Sequence, residues 1–304
     1  MKLRLLLLVK KRAKRAKQTR ETSSRKGMSS MYDLPWVGDF LRPIQAEYKR
    51  AAPRYKLIEP SKADIQYIYS HCQENDPFDT LRLKQECYEA YRNGDAIIQK
   101  CTSVWGEILV VEMKNAQFVK PWKTWWRAIR LLVNKPVRIV IFGHPRERLM
   151  PTKPGQPVEA EHINGGMAMR CDPGTIVLYR QEELTRVLVH ELFHASCSDP
   201  YHEETPQIEA DTEAWAEMVL CAMAAKGELQ PWIRRMRDQI EYSVRQSTTA
   251  RILYGVRSPQ DYAWRYLTGR LDVWRKLGIH IPASLSNDSP VRSLRLTLCE
   301  PHNQ

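Results

Sequence analysis

Two neighbouring stretches decide the fold. The first reads Leu184-Thr185-Arg186-Val187-Leu188-Val189-His190-Glu191-Leu192-Phe193-His194-Ala195, and the second, beyond a Ser198-Asp199-Pro200 stop, reads Ile208-Glu209-Ala210-Asp211-Thr212-Glu213-Ala214-Trp215-Ala216-Glu217. The first has no helix breaker, and Glu182 and Glu183 open its helix with negative charge in the first turn, where the helix dipole favours it. On a helix, His190 and His194 lie one turn apart on one face, so both imidazoles can reach a single cation. The intervening Glu191 projects beside them, where a general base for metal-activated water belongs. The residues around the pair are uncharged, as a buried helix requires.

A five-residue HExxH pattern occurs by chance in roughly one chain per hundred of this length, so its surroundings carry the weight. Thr175–Tyr179, launched from the turn Asp172-Pro173-Gly174, reads as a strand immediately before it. The second stretch reads as a helix over 208–225 with Glu209, Glu213 and Glu217 stacked on one face. Three carboxylates at that spacing repel unless something positive faces at least one of them, and a zinc ion would serve. Glu209 and Glu213 are both open as a third ligand, as is His202 in the loop.

The spacing then resembles that of a known family. Eighteen residues lie between His194 and Glu213, as in aminopeptidase-type gluzincins, and Thr212-Glu213-Ala214-Trp215-Ala216 is similar to their ligand-bearing helix. The likeness implies a zinc metallopeptidase with His190, His194 and Glu213 holding Zn2+, Glu191 as catalytic base, and Glu217 orienting a ligand histidine. A Tyr donor for the oxyanion is expected on a later segment, with Tyr242, Tyr254 and Tyr262 as candidates by position. Gly165-Gly166-Met167 lies where those enzymes carry a glycine-rich cleft strand, but Ala168 and Met169 replace the acid that binds a substrate N-terminus, so aminopeptidase action is not implied. Residues 160–260 are also similar to zincin-like proteins of large DNA viruses. A metzincin would need Gly at 197 and His at 200, where this chain has Cys197 and Pro200.

The fold class expected is α+β: a zincin-like catalytic domain with a small twisted sheet and edge strand, an active-site helix and a C-terminal helical lobe. It is placed at 121–280, after a mainly helical region at 31–120 and before a polar tail at 281–304. Trp122, Trp125, Trp126, Ile129 and Leu132 share one face of a helix, and Ile108–Glu112 and Val137–Phe142 read as strands. Long helices are expected over 232–253 and 259–277.

The net charge of +12 is local. Residues 1–30 hold eleven Lys or Arg against the single acid Glu21, so all but +2 belongs to this arm. The arm is expected to be disordered and is the one candidate contact with nucleic acid. An inactive zincin-fold binding protein using this arm is therefore the alternative to a peptidase acting on peptide or protein substrates. The longest early apolar run, Leu5–Val9, is too short for a membrane span and lacks a cleavage site after it, so an intracellular address, cytoplasmic or nuclear, is expected. Seven cysteines without a CxxC pair read as reduced structural thiols.

Overall fold

The computed structural model describes residues 31, 34–73, 76–199, 203–283 and 290–300. The basic arm, Tyr201 and His202 lie outside the described residues. In chain order the elements are α1 (Val37–Tyr48), β1 (Lys56–Ile58), α2 (Lys62–Gln73), α3 (Leu83–Arg92), β2 (Ala96–Ser103), β3 (Gly106–Met113), α4 (Trp122–Leu132) and β4 (Val137–Gly143). There follow α5 (Ala160–Ile163), β5 (Gly166–Ala168), β6 (Ile176–Leu178), α6 (Leu184–Ala195), α7 (Thr205–Ala224), α8 (Leu229–Tyr254), α9 (Trp264–Leu267) and α10 (Gly269–Lys276). The chain is α+β and forms two compact units. No described helix is long and apolar enough to cross a membrane.

One unit, from residues 52–149 and 159–197, holds the whole sheet. Its strand order is β1-β2-β3-β4-β6-β5, with β3, β4 and β6 parallel and the others antiparallel. The parallel centre follows from composition: Ile108–Val111 and Ile139–Phe142 are buried without interruption, as strands covered on both faces must be. Alternate residues then sort by face. Leu109, Val111, Val140, Phe142 and Val177 pack with Ile68 and Cys72 of α2 and Leu83 and Cys87 of α3. On the opposite face, the Trp126 indole of α4 donates to the Cys101 sulfur of β2, and Trp125 donates to Thr185 Oγ1 of α6.

The sheet crosses the boundary expected at residue 120. β1, β2 and β3 all precede it, so the 31–120 region, which also carries α1, α2 and α3, supplies half of the strands of the sheet. The charged residues of β2 and β3 lie in an ion-pair network: Lys100 Nζ meets Asp64 at 2.9 Å and Glu107 at 2.8 Å, and Arg138 Nε meets Glu107 at 2.7 Å. Its charges interrupt the apolar alternation by which a strand is recognised.

The other unit takes in the described parts of 34–51, 150–158 and 198–300 and is helical. Ala210–Met223 of α7 is buried on every side, as a helix at the centre of a bundle must be. Trp36, at the N-cap of α1, and Phe40 of α1 stack edge-on against Trp215 at 6.0 and 5.9 Å between ring centres, and also meet Trp232 of α8. Three buried indoles of this unit donate to carbonyls: Trp36 to Leu277, Trp232 to Met218 and Trp274 to Ala214. The helix expected over 259–277 is two, α9 and α10, separated at Thr268. Gly269 permits close packing of α10 on α9 and α7, since a β-carbon there would stand 2.7 Å from Trp264 Cζ3 and 2.8 Å from Ala210 Cβ.

The expected tail is a structural strap. Leu294, Leu296 and Cys299 are buried. The Leu296 carbonyl accepts from Gln239 Nε2 and Arg270 Nη1, both at 2.8 Å, and Tyr242 donates to the Arg295 carbonyl. Burying two leucines contributes about 1.5–3 kcal/mol each, which a solvated tail forgoes.

Candidate metal centre

Every residue of α6 is buried. The helix begins two residues later than its acids suggest: Glu183 stands at the N-cap in a left-handed conformation, φ 55°, and is itself buried. Its carboxylate lies 4.0 Å from Arg148 Nη1 and 3.6 Å from Arg186 Nε, so the charge is neutralised by buried guanidinium groups and does not sit in the first turn.

At the other end of α6 the two histidines converge. His190 Nε2 and His194 Nε2 are 3.1 Å apart, with ring centres at 4.9 Å and planes inclined by 68°. Two nitrogen ligands at about 2.05 Å from a tetrahedral zinc lie about 3.3 Å apart, so the pair fits two corners of a zinc site. Glu191 is 6% exposed on the same helix. A buried carboxylate on the helix that carries the imidazole pair is suited to holding a water proton rather than to a surface ion pair.

Packing fixes the wall beside this helix. The edge strand β5 lies at the end of the sheet, antiparallel to β6. Gly165 and Gly166 allow it to lie flush: a β-carbon at Gly166 would stand 2.8 Å from Val187 Cγ1 of α6, and one at Gly165 would stand 1.9 Å from Arg148 Nη2. Arg148, wholly buried, donates through Nε to the Ile163 carbonyl and through its backbone amide to Glu182 Oε2. Burial pulls its guanidinium down to about 10, which leaves it charged at neutral pH. Arg180, also buried, donates to the carbonyls of Glu147 and Glu161. Arg148 carries no sequence motif, and sequence reading missed it.

A disulfide joins Cys171, in the β5–β6 loop, to Cys197, two residues past the α6 C-terminus. This corrects the expectation of reduced thiols throughout. The amides of both cysteines donate to the His194 carbonyl, at 3.0 and 3.1 Å, so the cross-link caps the helix turn that carries the second histidine.

The α7 carboxylates occupy three environments. Glu217 is fully buried, accepts from Thr297 Oγ1 at 2.6 Å and from Cys221 Sγ at 3.6 Å, and burial pushes its carboxyl well above the usual range. Its hydrogen-bond partners are thus on the strap and on its own helix, in place of the ligand histidine implied by the resemblance. Glu213 is also fully buried, with Oε1 3.7 Å from Arg270 Nη1, a guanidinium that also donates to Leu296 and Gln246. Glu209, one turn earlier, is half-buried and accepts a 3.5 Å hydrogen bond from Tyr266.

No family model, curated protein or solved structure matches the chain. The chemistry of the site therefore rests on its own residues. Of the tyrosines expected to stabilise an oxyanion, Tyr242 is bonded to the Arg295 carbonyl and Tyr254 to the Pro151 carbonyl, while Tyr262 stacks on Tyr266 at 6.0 Å. Tyr266, beside Glu209, was not among the residues singled out from sequence; its position four residues from Tyr262 and its bond to an α7 acid mark it.

Proposed function

We propose that the chain is a zinc-dependent metallopeptidase of zincin type, with His190, His194 and an α7 carboxylate as metal ligands and Glu191 as general base. The observation that carries this is the convergence of two Nε2 atoms at 3.1 Å on a buried helix that also holds Glu191. Glu209 is the better third ligand on environment. Its carboxylate is half-buried and accepts a 3.5 Å hydrogen bond from the neutral Tyr266 hydroxyl, whereas Glu213 is fully buried 3.7 Å from the Arg270 guanidinium. A guanidinium beside a carboxylate competes with a cation for it.

Zinc bound here would supply a Lewis acid that polarises a scissile carbonyl and acidifies water. The protein's own groups do the rest. The disulfide and the two capping amides hold the His194 turn in place, and Thr185, bonded by Trp125, anchors the helix on its other side. Glu191 takes the proton of the attacking water and passes it to the leaving amine. The open edge of β5 offers backbone donors and acceptors to an extended peptide, which is recognition by strand addition. A peptide or protein substrate is accordingly the reading for the partner.

The test is zinc content of the purified chain together with cleavage of a mixed peptide library, using Glu191→Gln as control. Bound zinc with cleavage that vanishes in Glu191→Gln supports the reading. Bound zinc with no cleavage by wild type leaves a metal-stabilised binding protein, and folded protein that takes up no zinc refutes the centre itself.

A further inference from the structure

Away from the histidines, Cys221 of α7 and Cys299 of the strap bring their sulfurs to 3.0 Å, and both residues are buried. About one ångström more closes a disulfide, whose S–S bond is about 2.04 Å. The register is set by Thr297, whose hydroxyl donates to Glu217 Oε1 at 2.6 Å while its oxygen accepts from the Cys299 amide at 2.9 Å. That turn seats Cys299 over Cys221. Other buried cysteines have different partners: Cys72 bonds the Ile68 and Lys84 carbonyls, and Cys101 accepts from Trp126.

We propose that Cys221 and Cys299 form an oxidisable pair, a modification site at which a peroxide closes a disulfide between α7 and the C-terminal strap. The Cys299 thiolate attacks one peroxide oxygen and the O–O bond breaks, leaving a sulfenic acid and, after protonation, one water. The Cys221 sulfur then attacks the sulfenic sulfur; the S–O bond breaks, the S–S bond forms, and hydroxide departs with the Cys221 proton as a second water. Two thiols and one hydrogen peroxide give one disulfide and two waters, the sulfurs losing the two electrons that the peroxide gains. The groups around the pair favour this order. The hydrogen bond from Cys221, together with Arg235, holds the Cys299 thiol below its usual range against burial and Asp238, while burial pushes Cys221 well above.

A cation is the competing occupant, because ligand atoms of Glu217, Cys221 and Cys299 lie within 4.8 Å of one another. Distance decides between them. Two thiolates at about 2.3 Å from a tetrahedral zinc stand about 3.8 Å apart, well beyond the 3.0 Å found. This inference is independent of the hydrolase reading.

The test treats the full chain with a small excess of hydrogen peroxide, alkylates remaining thiols and maps peptides by mass spectrometry, with the Cys171–Cys197 cross-link as internal control. The expected result is a Cys221–Cys299 cross-linked peptide that dithiothreitol removes. Closing a loop across 78 residues should also raise Tm by on the order of 10 °C. Cys221→Ala and Cys299→Ala should each lose both effects. The proposal is overturned if both thiols of folded, peroxide-treated wild type remain alkylatable or end as separate sulfinic acids. It is also overturned if untreated protein carries a metal ion at these thiols. Peptide mapping of wild type decides even where an alanine variant fails to fold.

Discussion

Glu209→Gln and Glu213→Gln should have opposite consequences, because neighbouring turns of α7 place the two carboxylates in different surroundings. Glu213 is fully buried 3.7 Å from Arg270 Nη1. Removing one partner of a buried ion pair costs about 3–5 kcal/mol, and Arg270 keeps its bonds to Leu296 and Gln246, so the lower end applies. About 3 kcal/mol in a chain of this size lowers Tm by roughly 10 °C. Glu209 is half-buried with a 3.5 Å bond from Tyr266, so its amide replacement should cost less than about 1 kcal/mol of folding stability. Because Glu209 is the proposed zinc ligand, however, Glu209→Gln should weaken metal affinity by more than the roughly 10–100-fold typical of losing a ligand's supporting partner. The assay is zinc per folded chain by plasma emission spectrometry across a chelator series, with a thermal melt of each apo-protein. Glu213→Gln should melt early and keep its zinc site, and Glu209→Gln should melt near wild type and lose it. Zinc lost from a folded Glu213→Gln and retained in Glu209→Gln would refute the reasoning from environment and restore the ligand expected from sequence spacing.

Glu191→Gln should retain zinc and lower peptide cleavage by about 10²–10⁴-fold, which a kcat measurement on the metal-loaded variant checks. The double change Cys171→Ala with Cys197→Ala removes a cross-link across 26 residues and should cost about 3 kcal/mol in urea unfolding. Asp64 gives a pH signature. Burial alone would raise its carboxyl, but Lys100 and the Ser61 amide and hydroxyl override that and hold it at about 2, below its ordinary 3.8. A depressed carboxyl contributes stability that is fully present above pH 3.8 and is lost as pH falls toward 2. Asp64→Asn should therefore flatten the acid limb of a stability–pH curve in that window and leave its slope near neutrality unchanged; an identical acid limb would sink the assignment.

What the sequence made legible follows from which interactions are local. The α6 helix and its histidine pair were readable because a four-residue spacing and an apolar run are properties of consecutive residues, and α4 and the β4 run were readable for the same reason. On α7 the periodicity located the acidic face but not the turn, because Glu209, Glu213 and Glu217 share that face equally. What separates them are Tyr266, Arg270 and Thr297, which lie 57 to 80 residues away along the chain. The β2 strand was obscured by Lys100, whose charge is matched by Asp64 and Glu107 from other elements, so its polar pattern imitates a surface. The strap was mistaken for a tail because prolines and polar residues dominate its composition, while Leu294, Leu296 and Cys299 are buried against partners on α8 and α10. The same logic explains the cysteines: neither Cys171 with Cys197 nor Cys221 with Cys299 is close in sequence, and it is the β5–β6 loop in one case and the Thr297 turn in the other that brings the sulfurs together. A pairing decided by a turn far from its partner leaves no spacing to read, so the redox chemistry of this chain is a property of its fold and not of its cysteine pattern.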